Sequence, residues 1–233
     1  MFNNRFCGIS MVILLSVLMI ACMSGCATTT TAPTQTEPSY DGLQPVHDTK
    51  ADLAYKHPDA DFSIYKRIML MPVEVSFDKR WKRDYDSRSV SMVPSSEWER
   101  IRRGVADEFA AVFKEVLEEE GGYTIVDEAA EDVLLIVPAL SDLKASALDL
   151  DTPGRRSVFV AQANEQQGTL SLEAFDSLTG DILARVVHSQ VVRDYGGWEY
   201  SRVSRVENVH LARQMFRKWA TALRDRLDEF HGK

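Results

Sequence analysis

Cysteine is nearly missing from this chain: three residues in 233, Cys7, Cys22 and Cys26, all within the first 26 positions. From residue 27 onward there is no thiol, which excludes a disulfide framework, a cysteine nucleophile and a cysteine metal site, and leaves packing alone to hold the chain together. Histidine is sparse as well. The five present (His47, His57, His188, His210, His231) are scattered, without His-Glu-x-x-His or another metal-ligand spacing. No Gly-x-Ser-x-Gly elbow occurs. No glycine lies between the apolar run Ile68–Val75 and the helix expected from residue 96, so a phosphate-cradling loop at that junction is excluded. Positive charge is in deficit, with 27 basic against 35 acidic residues and a net charge of −8. That balance disfavours nucleic acid and anionic headgroups as partners of the surface as a whole, though not of a local patch.

Long apolar runs are also lacking. The one prolonged stretch, Ile9 to Ile20, falls short of the roughly 20 residues a spanning helix needs. Arg5 precedes it, and Met23-Ser24-Gly25-Cys26 closes it with small residues. A positive start, a short apolar core and small residues at the cut describe a cleaved secretory signal. The cysteine directly after the cut resembles a bacterial lipobox, whose thiol is diacylated and becomes the new N-terminus. Cys26 is the expected lipidation site, with Cys22 (after Ile20-Ala21) as second candidate. No Asp follows Cys26, which by analogy with enterobacterial sorting points to the outer membrane. The expected organisation is a signal peptide at 1–25, a lipidated cysteine and Thr/Pro-rich tether at 26–39, and a single periplasmic domain at 40–233. The tether, Ala27 to Ser39, would span roughly 20 Å as a flexible chain.

Within the domain, Ile68–Val75 reads as a strand buried on both faces, with Pro72 placing a bulge or an edge in it. Ser76 to Pro94 reads as a long charged connection. Ser96-x-x-Glu99 resembles a capping box and opens a helix striped by Trp98, Ile101, Val105, Phe109, Val112, Phe113, Val116 and Leu117, ended by Gly121-Gly122. Tyr123–Val126 and Val133–Leu140 read as strands, and Ala145–Gln167 as a loop. Thr169–Ala174 alternates with period two, and Asp176–Asp181 turns it into Ile182–Val192 as a hairpin. A second box, Ser204-x-x-Glu207, opens a terminal helix striped by Val209, Ala212, Phe216, Trp219, Leu223, Leu227 and Phe230. The sum is an α/β fold of the two-layer α+β kind: a mixed sheet of about four to five strands with two long helices on one face. The first strand–helix–strand unit should pair in parallel.

Tyr40-Asp-Gly-Leu43, the block Asp61-Phe-Ser-Ile-Tyr-Lys-Arg-Ile-Met-Leu-Met-Pro-Val-Glu-Val75, the Trp81/Asp84-Tyr85 stretch and Asp176-x-x-Thr-Gly180 resemble the bacterial lipoproteins grouped as domain of unknown function 3313. The resemblance runs from about residue 40 to 230, essentially the whole mature domain. It implies an envelope lipoprotein and carries no activity, cofactor or site residues.

Tests for chemistry come back empty. Ser63-x-x-Lys66 matches the serine–lysine motif of penicillin-binding enzymes, but it precedes a strand and lacks the partner motifs; Ser141-x-x-Lys144 repeats the pattern by chance. Asp149-x-Asp151 lacks the further carboxylates of a calcium loop. No catalytic residue, metal ligand or cofactor is expected. Two stretches suit recognition better. Lys79-Arg80-Trp81-Lys82-Arg83-Asp84-Tyr85 interleaves bases with aromatics; outside the cytoplasm it suits an acidic protein or cell-wall carboxylates, unless it is a solvated loop whose Trp81 and Tyr85 tuck onto the domain. Tyr195-Gly-Gly-Trp198-Glu-Tyr200 is either an aromatic contact surface or a lid over the core's end. The reading is a non-enzymatic lipoprotein docking onto an envelope protein through Trp81, Tyr85, Tyr195 and Trp198. The alternative is a binding module for a small apolar ligand between sheet and helices.

Overall fold

The computed structural model describes residues 38–47, 49–88, 93–144, 165–193 and 205–233. The signal run, Cys26, Asp149-x-Asp151, Tyr195, Trp198, Ser204 and the tether up to residue 37 lie outside them. The strands are β1 (Gln44–Pro45), β2 (Leu53–Lys56), β3 (Arg67–Leu70), β4 (Glu74–Phe77), β5 (Thr124–Ile125), β6 (Val133–Lys144), β7 (Glu165–Asp176) and β8 (Ile182–Arg193). The helices are α1 (Lys79–Arg88), α2 (Ser95–Lys114) and α3 (Arg205–His231), with a 3-10 turn at Phe62–Ile64.

All eight strands form one mixed sheet in the order β1-β2-β8-β7-β6-β3-β5, with β4 also on β6. The sheet is larger than the four to five strands expected. The additions include short edge pieces: β1 and β2 hold two and four residues, β2 recruited by antiparallel pairing along β8 and β1 in turn along β2. β3, β4 and β5 run parallel to their partners, as a strand–helix–strand unit requires.

The Ile68–Val75 run is not one strand. β3 pairs Leu70 with Ile136, and β4 resumes by pairing Glu74 with Ala139, so one extra residue bulges out between them. Pro72 sits in that break with no N–H to offer. Pro138 of β6 stands opposite. The Ile136 carbonyl accepts from Met71 N–H at 2.9 Å, so alternation turns the missing Pro138 donor toward the same break. Two prolines thus coincide where the ladder is interrupted, and neither leaves an orphan.

Both long helices lie on one face of the sheet. Even-numbered positions of β6 (Leu134, Ile136, Leu140) are buried against Phe109, Val112, Phe113, Val116 and Leu117 of α2 and its extension, and against Leu211, Met215, Phe216, Trp219 and Leu227 of α3. Phe109 stacks on Phe113 at 4.0 Å and meets Phe216 edge-on at 5.4 Å. Gly168 of β7 makes room for this: a Cβ there would stand 3.3 Å from the tips of Leu140 and Met215. In α3 the expected stripe holds at Phe216, Trp219 and Leu227, with Ala212, Leu223 and Phe230 packed against the core, and departs only at its start. Val209 is 39% exposed, while Leu211 and Met215 are buried.

The start of α2 also departs from the expected box. The helix begins at Ser95 after Pro94, no side chain caps it, and Glu99 pairs with Arg102 instead. Its end is as expected, but by a wider turn. Glu115–Glu120 is π-helical, Gly121 N–H reaches the Val116 carbonyl, and Gly122 turns left-handed at φ 70°. The five-residue spacing sets Glu115 and Glu120 on one side, where Arg217 of α3 binds both. Arg213 adds Glu108 and Glu115, and the hydrogen bond from Arg217, more than any other contact, holds the Glu115 carboxyl below its ordinary range.

Candidate functional site: a basic cleft on an open strand edge

The Ser76–Pro94 connection contains a helix. Asp78 is its N-cap: its carboxylate accepts Trp81 N–H at 2.6 Å and its carbonyl accepts Lys82 N–H at 2.9 Å. Four residues apart, Trp81 and Tyr85 fall on one face of α1 and meet buried Trp98 of α2 edge-on, at 6.1 and 6.2 Å between ring centroids. Phe77 of β4 closes the cluster at 5.9 Å from Trp81 and 5.2 Å from Trp98, and Lys82 Nζ lies 4.6 Å from the Trp98 ring centre. Trp81 and Tyr85 are therefore half-buried latches for α1. The outward residues are cations: Lys79, Arg80 and Arg83 are exposed.

Between α1, α2 and β4 runs a cleft of about 570 Å³, lined by Val73–Phe77, Lys79, Lys82, Arg102, Arg103 and Ala106. It sets four cations against one acid, Glu74, in a chain of net charge −8. Lys82 has Asp86 at 3.8 Å and Arg102 has Glu99, whereas Lys79 and Arg103 form no ion pair among the described residues. The floor is strand backbone. Val73, Val75 and Phe77 point inward and Glu74 and Ser76 outward. Lys79 and Lys82 belonged to the stretch singled out in the sequence; Arg102 and Arg103 did not, because they lie on the polar face of α2 and only the fold brings them there.

The other candidates are structural. Ser63 sits in the 3-10 turn with its hydroxyl on the Asp61 carboxylate at 2.6 Å. His210 is exposed beside Gln214. Among the described residues no group of three His, Cys, Asp or Glu side chains is placed to hold a metal. Tyr65 donates to Asp176 at 2.9 Å; burial first, then that carboxylate, pushes its phenol up to about 12. Asp176 also accepts the Leu178 and Thr179 N–H groups and so shapes the Gly180 turn. Nearby, across His231, which contacts both the Tyr65 carbonyl and the Tyr123 hydroxyl, Tyr123 donates to Asp228 at 2.8 Å, and burial, then that carboxylate, raises its phenol. On the face opposite the helices, Arg185 binds Glu173 and Asp41, both at 2.7 Å, and pins the turn Ser39–Leu43 to β8. Burial pushes Asp41 up, but the hydrogen bonds from Ser39 and Arg185 outweigh it and its carboxyl lies below the ordinary value.

These placements give a structural role to each motif noted in the sequence: the Tyr40–Leu43 turn, the Asp61–Val75 block, the Trp81/Tyr85 latch and the Asp176 hairpin. The chain matches the protein family of unknown function DUF3313 over residues 33–223. It belongs to that family. No curated protein matches it. Among solved structures, this family member is similar to the PelC dodecamer from Paraburkholderia phytofirmans (TM-score 0.35, 10% identity, 72% of this chain and 96% of that one). It is similar also to a neuraminyllactose-binding hemagglutinin homolog from Helicobacter pylori (TM-score 0.35, 11% identity, 75% and 90%). A third is the rare lipoprotein B from Shewanella oneidensis (TM-score 0.28, 13% identity, 70% and 91%). At TM-scores this low, none of the three bears on the work of this chain.

Proposed function

We propose that this DUF3313 protein is a lipid-anchored envelope protein, held through Cys26 at the periplasmic side of the outer membrane, whose domain is a non-enzymatic docking module. The cleft between β4, α1 and α2 is the docking site, and the partner is an envelope protein presenting acidic surface. The observation that carries this reading is the gathering of Lys79, Lys82, Arg102 and Arg103 around one cleft of an acidic domain. Local positive charge on an otherwise acidic surface steers a partner that presents acidic surface. The alternative, an apolar ligand held between sheet and helices, has no support among the described residues, because Phe109, Phe113, Met215, Phe216 and Trp219 fill that layer at 3% exposure or less.

The test is cross-linking in intact cells, detergent extraction and mass spectrometry, run on wild type, on Cys26→Ser and on Arg102→Gln/Arg103→Gln. A partner recovered with wild type and lost with the arginine variant supports the cleft. Equal recovery with both moves the docking site elsewhere. Membrane retention of Cys26→Ser would overturn the lipid anchor.

A further inference from the structure

The cleft is more than a basic patch, because one of its walls is a strand edge that no described strand pairs. Among the described strands β4 pairs only with β6, and β5, which continues the sheet beyond β3, reaches no further than Ile125 opposite Ile68. Asp78 N–H reaches the Leu143 carbonyl of β6 at 3.2 Å. Peptide groups alternate sides along a strand, so those of Phe77 and Val75 turn their N–H and C=O the other way, into the cleft. The extra residue in this part of the ladder is on β6: Val75 to Phe77 spans Leu140 to Leu143, and Asp142 there adopts φ 52°. β4 itself stays regular and can template a partner.

We infer that the cleft takes an extended acidic segment of the partner protein, added to the sheet as a ninth strand along β4. The inference rests on the docking role proposed above and names the form the partner takes there. Backbone hydrogen bonds to Val75 and Phe77 would supply affinity, and alternate side chains specificity. Side chains on one face of a strand recur every roughly 6.5–7 Å. Carboxylates at every second position would then all face the side on which Val75 and Phe77 point, toward Lys82, Arg102 and Arg103. The ion-pair partners of these cations lie outside the cleft lining, Glu99 on Arg102 and Asp86 on Lys82, and Arg103 has none among the described residues. Glu74 and Ser76 lie on the opposite face of β4, so a second row of acids would be disfavoured and alternation with neutral residues preferred. Open edges are commonly blocked by charge. Here the lysines and arginines repel another basic edge but welcome an acidic one.

The experiment uses the full-length protein in detergent and a fluorescent eight-residue peptide alternating Glu and Thr, read by anisotropy and by amide exchange at β4. Three comparison probes are the same peptide N-methylated at every second amide, free citrate, and the peptide in raised salt. Saturable binding is expected. It should weaken at least tenfold with Arg102→Gln/Arg103→Gln and at least tenfold on N-methylation, and slow exchange at Val75 and Phe77. Equal binding of the N-methylated peptide, or full competition by citrate, would overturn strand addition and leave a charge-only cleft, with the docking role intact. No binding of any probe also overturns strand addition, while a cleft-dependent partner in the cell experiment would still uphold docking. Slow exchange at Val75 and Phe77 without peptide, rising with protein concentration, would place a second copy on the edge instead and likewise refute the inference.

Discussion

Replacing Trp81 with alanine should unfold one helix and little else. α1 has ten residues, too few for a helix to persist on its own, so its stability comes from docking. Trp81 supplies most of it. A tryptophan carries up to about 250 Å² of surface. Trp81 is half-buried, and with roughly two-thirds of that removed from water its contribution is about 4 kcal/mol at about 25 cal/mol/Å². This is an upper figure, since unfolded chains already bury some of that area. Tyr85, the Asp78 cap and the Lys82 contact with Trp98 remain in the variant. The open population of α1 should still rise by roughly 100-fold, the factor that about 2.7 kcal/mol represents. Hydrogen exchange followed by mass spectrometry reads this directly: amides of 81–88 should lose protection, while those of α2 and α3 keep it. Trp81→Phe should retain most of the protection, because a ring still faces Trp98. The reasoning fails if α1 keeps its wild-type exchange, or if α2 and α3 lose protection to the same extent.

Other substitutions test other parts of the fold. Gly121→Ala should destabilise although its φ is ordinary, because the new Cβ would stand 2.8 Å from the Leu117 carbonyl oxygen. Gly122→Ala should cost about 1–2 kcal/mol through its positive φ alone, with partial recovery in Gly122→Asn and none in Gly121→Asn; urea midpoints separate the two mechanisms. Phe216→Ala should cost about 3–5 kcal/mol, since the ring is fully buried against Phe109, and Phe216→Leu clearly less. For pH, Glu115, Asp132 and Asp176 all have carboxyls held below the ordinary value, by the Arg217 hydrogen bond, the Arg67 hydrogen bond and the Thr179 N–H respectively. A depressed carboxyl stabilises above its unfolded value of about 4 and loses that contribution as pH falls through the folded value. Urea midpoints should therefore be flat from pH 7 to about 5 and drop below about 4; a drop setting in near pH 6 would point to histidine instead.

The helices were legible because their apolar spacing is driven by the same core that the fold forms: Phe109, Val112, Phe113, Phe216, Trp219 and Leu227 are all buried. The hairpin was legible because Asp176 and Gly180 make a turn through local bonds. What was not legible depends on partners distant in sequence. α1 looked like a charged loop because its two latches need Trp98, although Asp78 followed by Trp81 and Tyr85 four residues apart was a usable signal. β1 and β2 are too short to carry a period of their own and become strands because β8 offers an edge to β2, and β2 to β1. The expected Ser96 cap gave way to Pro94, whose fixed φ already suits a helix entrance. The cleft was half legible: Lys79 and Lys82 stood out in a basic run, while Arg102 and Arg103 looked like ordinary solvated helix charges until β4 was placed beside them.

The attachment of Ser39–Leu43 has a mechanical meaning. Any pull on the chain upstream of Ser39 enters the domain at this turn, which is closed on itself by two backbone bonds, Ser39 N–H to Leu43 and Gly42 N–H to Ser39, and fastened to β8 by Arg185 through Asp41 and the Ser39 hydroxyl. That fastening lies on the side of the sheet away from the helices, and Leu43, though fully buried, is not part of the main core. Under load it would act as a fuse, peeling a few residues of slack off β8 while the helical layer and the basic cleft stay folded. Tension on the proposed tether would lengthen the reach of the domain before it disturbed the surface the domain presents.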